Sequence, residues 1–255
     1  MDLYTLTVSL LVSSLAAKTI YIAAGVLPKL ETAEIKRDLN EYLGIVEDRM
    51  VEVEQCQFTM LGKQPLYWLP LVAPFIKGLY TKKTGMAKFE IFIIELFAIA
   101  FVLAAYKLNT NITVLLFSGL FLSLSLTATI VDLTSRFLPD KIVYPLLWIG
   151  LLFSTTPDSL ASSGEAIYGA FNAYLWMYCF NKATYLKSGE DAIAWGDVRL
   201  VAALGAWLGT YLVVLMITCS LVTLIFMKKG SAFGPIIVLW AYIVVGGSQL
   251  VVGII

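Results

Sequence analysis

Apolar residues run along this chain in blocks of fifteen to thirty, broken by short polar stretches. A bilayer-spanning helix needs about twenty mostly apolar residues. On that measure the first span runs from about Leu3 to Leu27, with Lys18 inside it as a snorkelling side chain or a helix-packing contact. Residues 28–89 form the one large polar segment. Its charged half, "KLETAEIKRDLNEYLGIVEDRMVEVEQ", reads as partly helical, and "LYWLPLVAPFIKGLY" is apolar but broken by Pro70 and Pro74, as in an interfacial or re-entrant piece. Further spans are expected at 90–106, 112–131, 141–155 and 165–181. A polar hinge, "NKATYLKSGEDAIAWGD", precedes a long apolar run at 198–227, which Gly205 and Gly209 interrupt, so that a half-helix followed by a full helix is one way to divide it. Residues 232–254 close the chain. The expected fold is an all-α polytopic membrane protein of about seven or eight transmembrane helices, with one cytoplasmic loop domain after the first helix. The expected division is a first helix at 1–27, the loop domain at 28–89 and a membrane domain at 90–255. No internal repeat is visible.

Composition agrees with a membrane protein. Hydrophobic residues make up 59% and charged residues 14%, with a mean hydropathy of +0.83, against about 25% charged in soluble domains. The formal net charge is zero, so no nucleic-acid partner is implied. The chain has no histidine, which excludes Ser-His-Asp and Cys-His catalysis and histidine-ligated metals. Its three cysteines, Cys56, Cys179 and Cys219, form no CxxC pair, and no metal site is expected. Asp2 stands where a secretory signal would be basic, so the first span is expected to be retained.

Basic residues orient the spans. Lys29, Lys36, Arg37, Arg49, Lys63, Lys77, Lys82, Lys83 and Lys88 lie in the polar segment, Arg136 and Lys141 in the loop at 132–141, and Lys182, Lys187 and Arg199 around the hinge. The intervening loops carry only Lys107. By the excess of Lys and Arg on cytoplasmic loops, Asp132 and Asp197 face the same, cytoplasmic side. Tyr67, Trp68, Tyr80 and Trp148 suit interfacial belts.

Those two aspartates are the candidate chemistry. Charge is costly at a membrane span, about 2.5–3.5 kcal/mol at its centre and less near the interface. Two acidic residues at equivalent depth suggest a shared cleft in which the pair holds one proton. One carboxylate would then take a proton from water while the other donates to a scissile carbonyl. Gly196 would let a substrate backbone approach. Position alone leaves ordinary alternatives open: Asp132 as a helix-end residue in headgroup water, and Asp197 as a helix N-cap. Asp132 follows its helix, where the dipole repels an anion, and that favours a functional role.

The stretch "VDLTSRFLPDKIVYPLLWIGLLF" resembles the first catalytic segment of the type IV prepilin peptidases, integral-membrane aspartic proteases of the GxGD group. The shared pattern is an Asp, five residues, Leu-Pro-Asp, and a Pro-Leu-Leu-Trp-x-Gly-Leu-Leu helix, matched by Asp132, Leu138-Pro139-Asp140 and the run from Pro145. "DAIAWGDVRLVAALGAWLG" resembles the second segment, and "SAFGP" the family's Pro-Phe-Gly-Pro at the last helix. The match covers roughly 125–240.

The resemblance implies a multi-pass endopeptidase of the bacterial inner membrane with its active site facing the cytoplasm. Its substrate would be the membrane helix of a prepilin or type II secretion pseudopilin, from which it removes the short leader. It implies Asp132 and Asp197 as catalytic residues, with Gly196, Asp140, Pro139, Arg199 and Asp191 in support: Pro139 fixing a turn, Arg199 standing where Lys is usual, Asp191 where Glu is usual. Proteolysis would need no cofactor. Relatives that also methylate the new N-terminus use S-adenosylmethionine, which this chain would need if it retains that activity. Two features depart from the family. Ala194 replaces the first Gly of GxGD, and Cys56 is alone where many members carry two zinc-binding CxxC pairs. Two other classes compete: a non-catalytic pilus or secretion assembly factor, and a carboxylate-dependent transporter, which would call for mid-span acids and a repeat.

Overall fold

The computed structural model describes residues 12, 16, 20, 96, 98–100, 111–136, 138–226 and 232–252. The chain forms two compact units, Met1–Val102 and Leu103–Ile255. In the first unit the described positions are helical, with Ala16, Ile20 and Ala98 buried. The expected first span and the loop domain at 28–89 otherwise lie outside the described residues.

The second unit is built from five helices: α1 (Ile112–Ser135), α2 (Asp140–Phe153), α3 (Ser163–Ser188), α4 (Trp195–Phe226) and α5 (Gly234–Val252). No strand occurs among the described residues. By length and composition, Ile112–Leu133 and Trp195–Leu224 are apolar enough to cross a membrane. Local signals set the ends. Asn111 caps α1 by accepting the Thr113 N–H at 3.2 Å. Ser162 and Glu165 form a reciprocal capping box on α3, and Gly189 ends α3 in the left-handed conformation at φ 76°.

Two boundaries differ from the sequence expectation. α1 runs four residues past 131, so Asp132 lies inside its last turn instead of following it. The expected hinge from Asn181 is helical to Ser188, which confines the irregular link to 189–194. Good helix formers and the αL glycine at 189 carry α3 that far.

Gly205 and Gly209 behave differently. The helix passes through Gly205 without a break, whereas Gly209 has φ 71° and ψ −179° and divides α4 into limbs 195–208 and 210–226. The contacts fix their directions. A β-carbon on Gly209 would meet Ala161 and Glu165, at the start of α3. The Trp240 indole donates to Thr223 Oγ1 at 2.9 Å, and Gly234, six residues before Trp240, donates to Asp132. Thr223 is fourteen residues past Gly209, about 21 Å of helix, yet Trp240 is only about 9 Å of helix from the Asp132 end. The second limb therefore returns toward the end from which the first set out.

Small residues allow the closest packing. A β-carbon on Gly205 would lie 2.6 Å from the Gly169 carbonyl oxygen, and one on Gly169 2.5 Å from that of Gly205. α3 presents Ala166, Gly169, Ala173, Met177 and Asn181 as its buried stripe, and small residues let helix backbones touch where apolar burial alone gives little drive.

α2 and α4 are joined by an aromatic plug. Trp207 packs on Gly150, where a β-carbon would come within 2.6 Å of the indole. Its Nε1–H donates to the Leu146 carbonyl at 2.9 Å. Phe121 and Phe153 surround it, with centroids 4.9 and 5.5 Å away, and Phe121 also meets Tyr242, whose hydroxyl is 2.6 Å from Ser125 Oγ. The Gly of Pro-Leu-Leu-Trp-x-Gly and the Trp of Gly-Ala-Trp-Leu-Gly thus form one contact. Gly150→Val should cost about 1–3 kcal/mol through overpacking, read as a lower unfolding midpoint in mixed micelles; an unchanged midpoint would show that the indole can move aside.

Candidate active site

Four segments converge at one end of the second unit: the last turn of α1, the turn at 138–140, the first turn of α4 and the start of α5. Asp132 and Asp197 are both buried here, at 6% and 5% exposure. The charge of Asp132 acts on Asp197, so the two carboxyls sit within electrostatic reach of each other. Asp197 is the third residue of α4 and is not its N-cap. Asp132 is enclosed by protein and not immersed in headgroup water.

Asp132 is held from α5. Its Oδ2 accepts the backbone N–H of Gly234 at 3.0 Å. A β-carbon on residue 234 would lie 2.7 Å from that same oxygen, so glycine is what lets the helix start approach the carboxyl. A carboxylate at the first N–H groups of a helix is favoured by unpaired donors and by the helix dipole. At the end of its own helix the Arg136 N–H closes on the Asp132 carbonyl at 2.9 Å, with Arg136 left-handed at φ 52°. The "SAFGP" motif was visible in the sequence, but nothing there linked Gly234 to Asp132. That link exists only across the fold.

Asp197 is placed by contacts around it. The Ala194 carbonyl accepts the N–H groups of Asp197 and Val198 at 3.0 and 3.3 Å, opening α4. Ala194 is exposed and is not among the positive-φ residues, so its methyl group is accommodated where the family has glycine. Gly196 makes a close approach inside the protein. A β-carbon there would meet Leu138 at 2.9 Å, so the close approach is made by the chain's own Leu138.

The supporting residues divide into two groups. Pro139 caps α2 with extended backbone, and its carbonyl accepts the Ile142 N–H at 3.0 Å. Asp140, in the first turn of α2, forms an ion pair with Arg199 on α4. Arg199 is therefore partnered and not simply solvated, and its Nε also donates to the Trp195 carbonyl at 3.2 Å. Asp191 stays outside the carboxyl pair; exposed, it accepts the Trp195 indole N–H at 3.0 Å. Asn181, absent from the sequence-level candidates, accepts the Ile193 N–H at 3.1 Å. Among the described residues no group of three or more His, Cys, Asp or Glu could hold a metal ion.

The described part of the second unit is all-helical and buries two carboxyls at one end. Residues 119–247 match the model of the type IV leader peptidase family, and the chain belongs to that family. It is 40% identical over 110 residues to a prepilin leader peptidase/N-methyltransferase of Klebsiella pneumoniae, covering 43% of this chain and 47% of that protein. A protein of the same name from Pectobacterium carotovorum is 36% identical over 126 residues, 45% of each chain. One from Escherichia coli K12 is 37% identical over 84 residues, 33% of this chain and 37% of that one. The chain thus spans less than half the length of these relatives in the matched region. No solved structure matches.

Because Asp140 and Arg199 are 43% and 31% exposed, solvent screens their attraction. A double-mutant cycle with Asp140→Asn and Arg199→Gln should return a coupling of about 0.2–1 kcal/mol; zero coupling would leave the pair with no energetic role.

Proposed function

We propose that this chain is a membrane endopeptidase that removes the short leader of type IV prepilins or pseudopilins by a two-aspartate mechanism. The observation that carries it is the burial of Asp132 and Asp197 at one end of the second unit, close enough for the charge of one to act on the other, within the residues that match the family. One carboxylate takes a proton from water as it attacks the scissile carbonyl, and the other carboxyl donates a proton to the carbonyl oxygen. Gly234 holds Asp132 in place through its backbone N–H. The substrate is a membrane helix whose leader protrudes at the end where the pair lies. That end faces the cytoplasm of a multi-pass inner-membrane protein of seven or eight spans, with residues 28–89 as its cytoplasmic loop domain. Gly196, Pro139, Asp140, Arg199 and Asp191 support the site without touching the reacting atoms.

A second activity, methylation of the new N-terminus from S-adenosylmethionine, is favoured by the names of the relatives. A cysteine tetrad cannot hold zinc in the polar segment, which has only Cys56. A transporter is less well supported: the buried acids among the described residues are Asp132 and Asp197, at one end of the unit and not at mid-span. A non-catalytic assembly factor would have no use for two carboxyls buried together.

Cleavage of a co-expressed prepilin tests the proposal. Asp132→Asn and Asp197→Asn, at wild-type membrane abundance, should each lose at least about 10²-fold in rate, the scale of a removed acid–base group. Cleavage by both variants at the wild-type rate would remove the pair from the mechanism. Gly234→Ala should lose activity by about 10²-fold through displacement of Asp132 alone, with abundance unchanged. Transfer of a labelled methyl group from S-adenosylmethionine to the cleaved product decides the second activity.

A further inference from the structure

Residues 189–194 deliver the chain from α3 to Asp197 without regular structure, so side chains must fix their path. Besides Ser188 Oγ, which donates to the Glu190 carbonyl at 3.1 Å, three contacts do this among the described residues. The Asp191 carboxylate accepts the Trp195 indole N–H, and the Trp195 ring packs against Tyr178 at 5.7 Å between centroids; both of these are at the exposed surface. The third is buried. Asn181 lies at 0% exposure at the end of the α3 stripe that faces α4, and its Oδ1 accepts the Ile193 N–H at 3.1 Å.

The same amide carries a cost. Asn181 Nδ2 is buried and has no hydrogen-bond partner. A buried polar atom without a partner is unfavourable, and such groups are rare in folded proteins. The other members of the stripe are Ala166, Gly169, Ala173 and Met177, so an apolar residue would suit helix packing better at 181. What an apolar residue cannot do is accept the N–H of Ile193, four residues before Asp197. Without that acceptor the amide of Ile193, itself buried, would lose its bond and the link would be free to shift. Small displacements of a catalytic group are expensive in rate.

We propose that Asn181 is a positioning residue for Asp197: its side-chain carbonyl anchors the 189–194 link so that α4 starts with Asp197 facing Asp132. This builds on the peptidase function proposed above. It assigns the role to the acceptor half of the amide and not to Nδ2.

Purified full-length chain in proteoliposomes, given a prepilin, provides the test, with hydrogen exchange at Ile193 as the second readout. Asn181→Leu removes the acceptor; Asn181→Asp keeps one. Asn181→Leu should lower kcat per folded enzyme by about 10- to 100-fold, leave KM within about threefold and speed exchange at Ile193. Asn181→Asp should restore most of kcat and the protection. The proposal is overturned if Asn181→Leu leaves kcat per folded enzyme unchanged, if kcat falls while Ile193 stays protected, or if Asn181→Asp protects Ile193 without restoring kcat. Asp197→Asn run in parallel separates the two claims. If wild type and Asp197→Asn behave alike, the peptidase function fails, and Ile193 exchange in Asn181→Leu alone decides whether the anchor exists.

Discussion

The seam between α2 and the first limb of α4 is the contact on which the rest of the second unit depends. It closes at three levels: Leu138 against Gly196, Asp140 with Arg199, and Gly150 beneath Trp207. The levels differ in chemistry. The first is a close approach that a β-carbon would block, the second a partly solvated ion pair, and the third an aromatic plug with one buried hydrogen bond. The plug and the glycine contact resist compression and the ion pair adds direction, so the two helices have one register. Because the turn at 138–140 follows α1 directly and Asp197 opens α4, that register also sets where the two carboxyls meet.

Glycine recurs wherever elements come closest, for different reasons. Gly169 and Gly205 let two helix backbones touch. Gly234 lets a helix start reach a carboxylate. Gly209, unlike these three, needs its unusual backbone, because φ 71° allows α4 to turn back on itself. That reversal returns the chain to the Asp132 end, where α5 can begin against the carboxyl. In an apolar surrounding, where burial of hydrocarbon gives helices little reason to associate, close packing of this kind takes over as the source of cohesion.

The carboxyl pair is the expensive part of the structure. Burying an acid costs free energy unless partners compensate. Asp132 has a backbone donor and the N-terminal end of α5. Asp197 lies in the first turn of α4, where the dipole also favours it. Each acid is therefore placed at a helix N-terminus, Asp197 on its own helix and Asp132 on another. The positive charge of Arg136 also acts on Asp132.

Much of this was legible in one dimension. The apolar runs at 112–131, 141–155 and 165–181 overlap described helices, and of these α1 is long and apolar enough to cross a membrane. Asp132 and Asp197 stood out because charge is rare at such edges, and the spacing of two motifs placed them in one family. Tertiary structure decided what depends on atoms distant in sequence. Only the fold shows that Gly196 is filled by Leu138, that Arg199 finds Asp140, that Gly234 reaches Asp132 and that Asn181 holds Ile193. It also decided between two glycines that look alike in sequence: Gly205 packs inside a helix and Gly209 ends one. Periodicity and composition report what each residue prefers by itself, whereas close approach, hydrogen-bond partnership and backbone reversal are properties of pairs that meet only when the chain is packed.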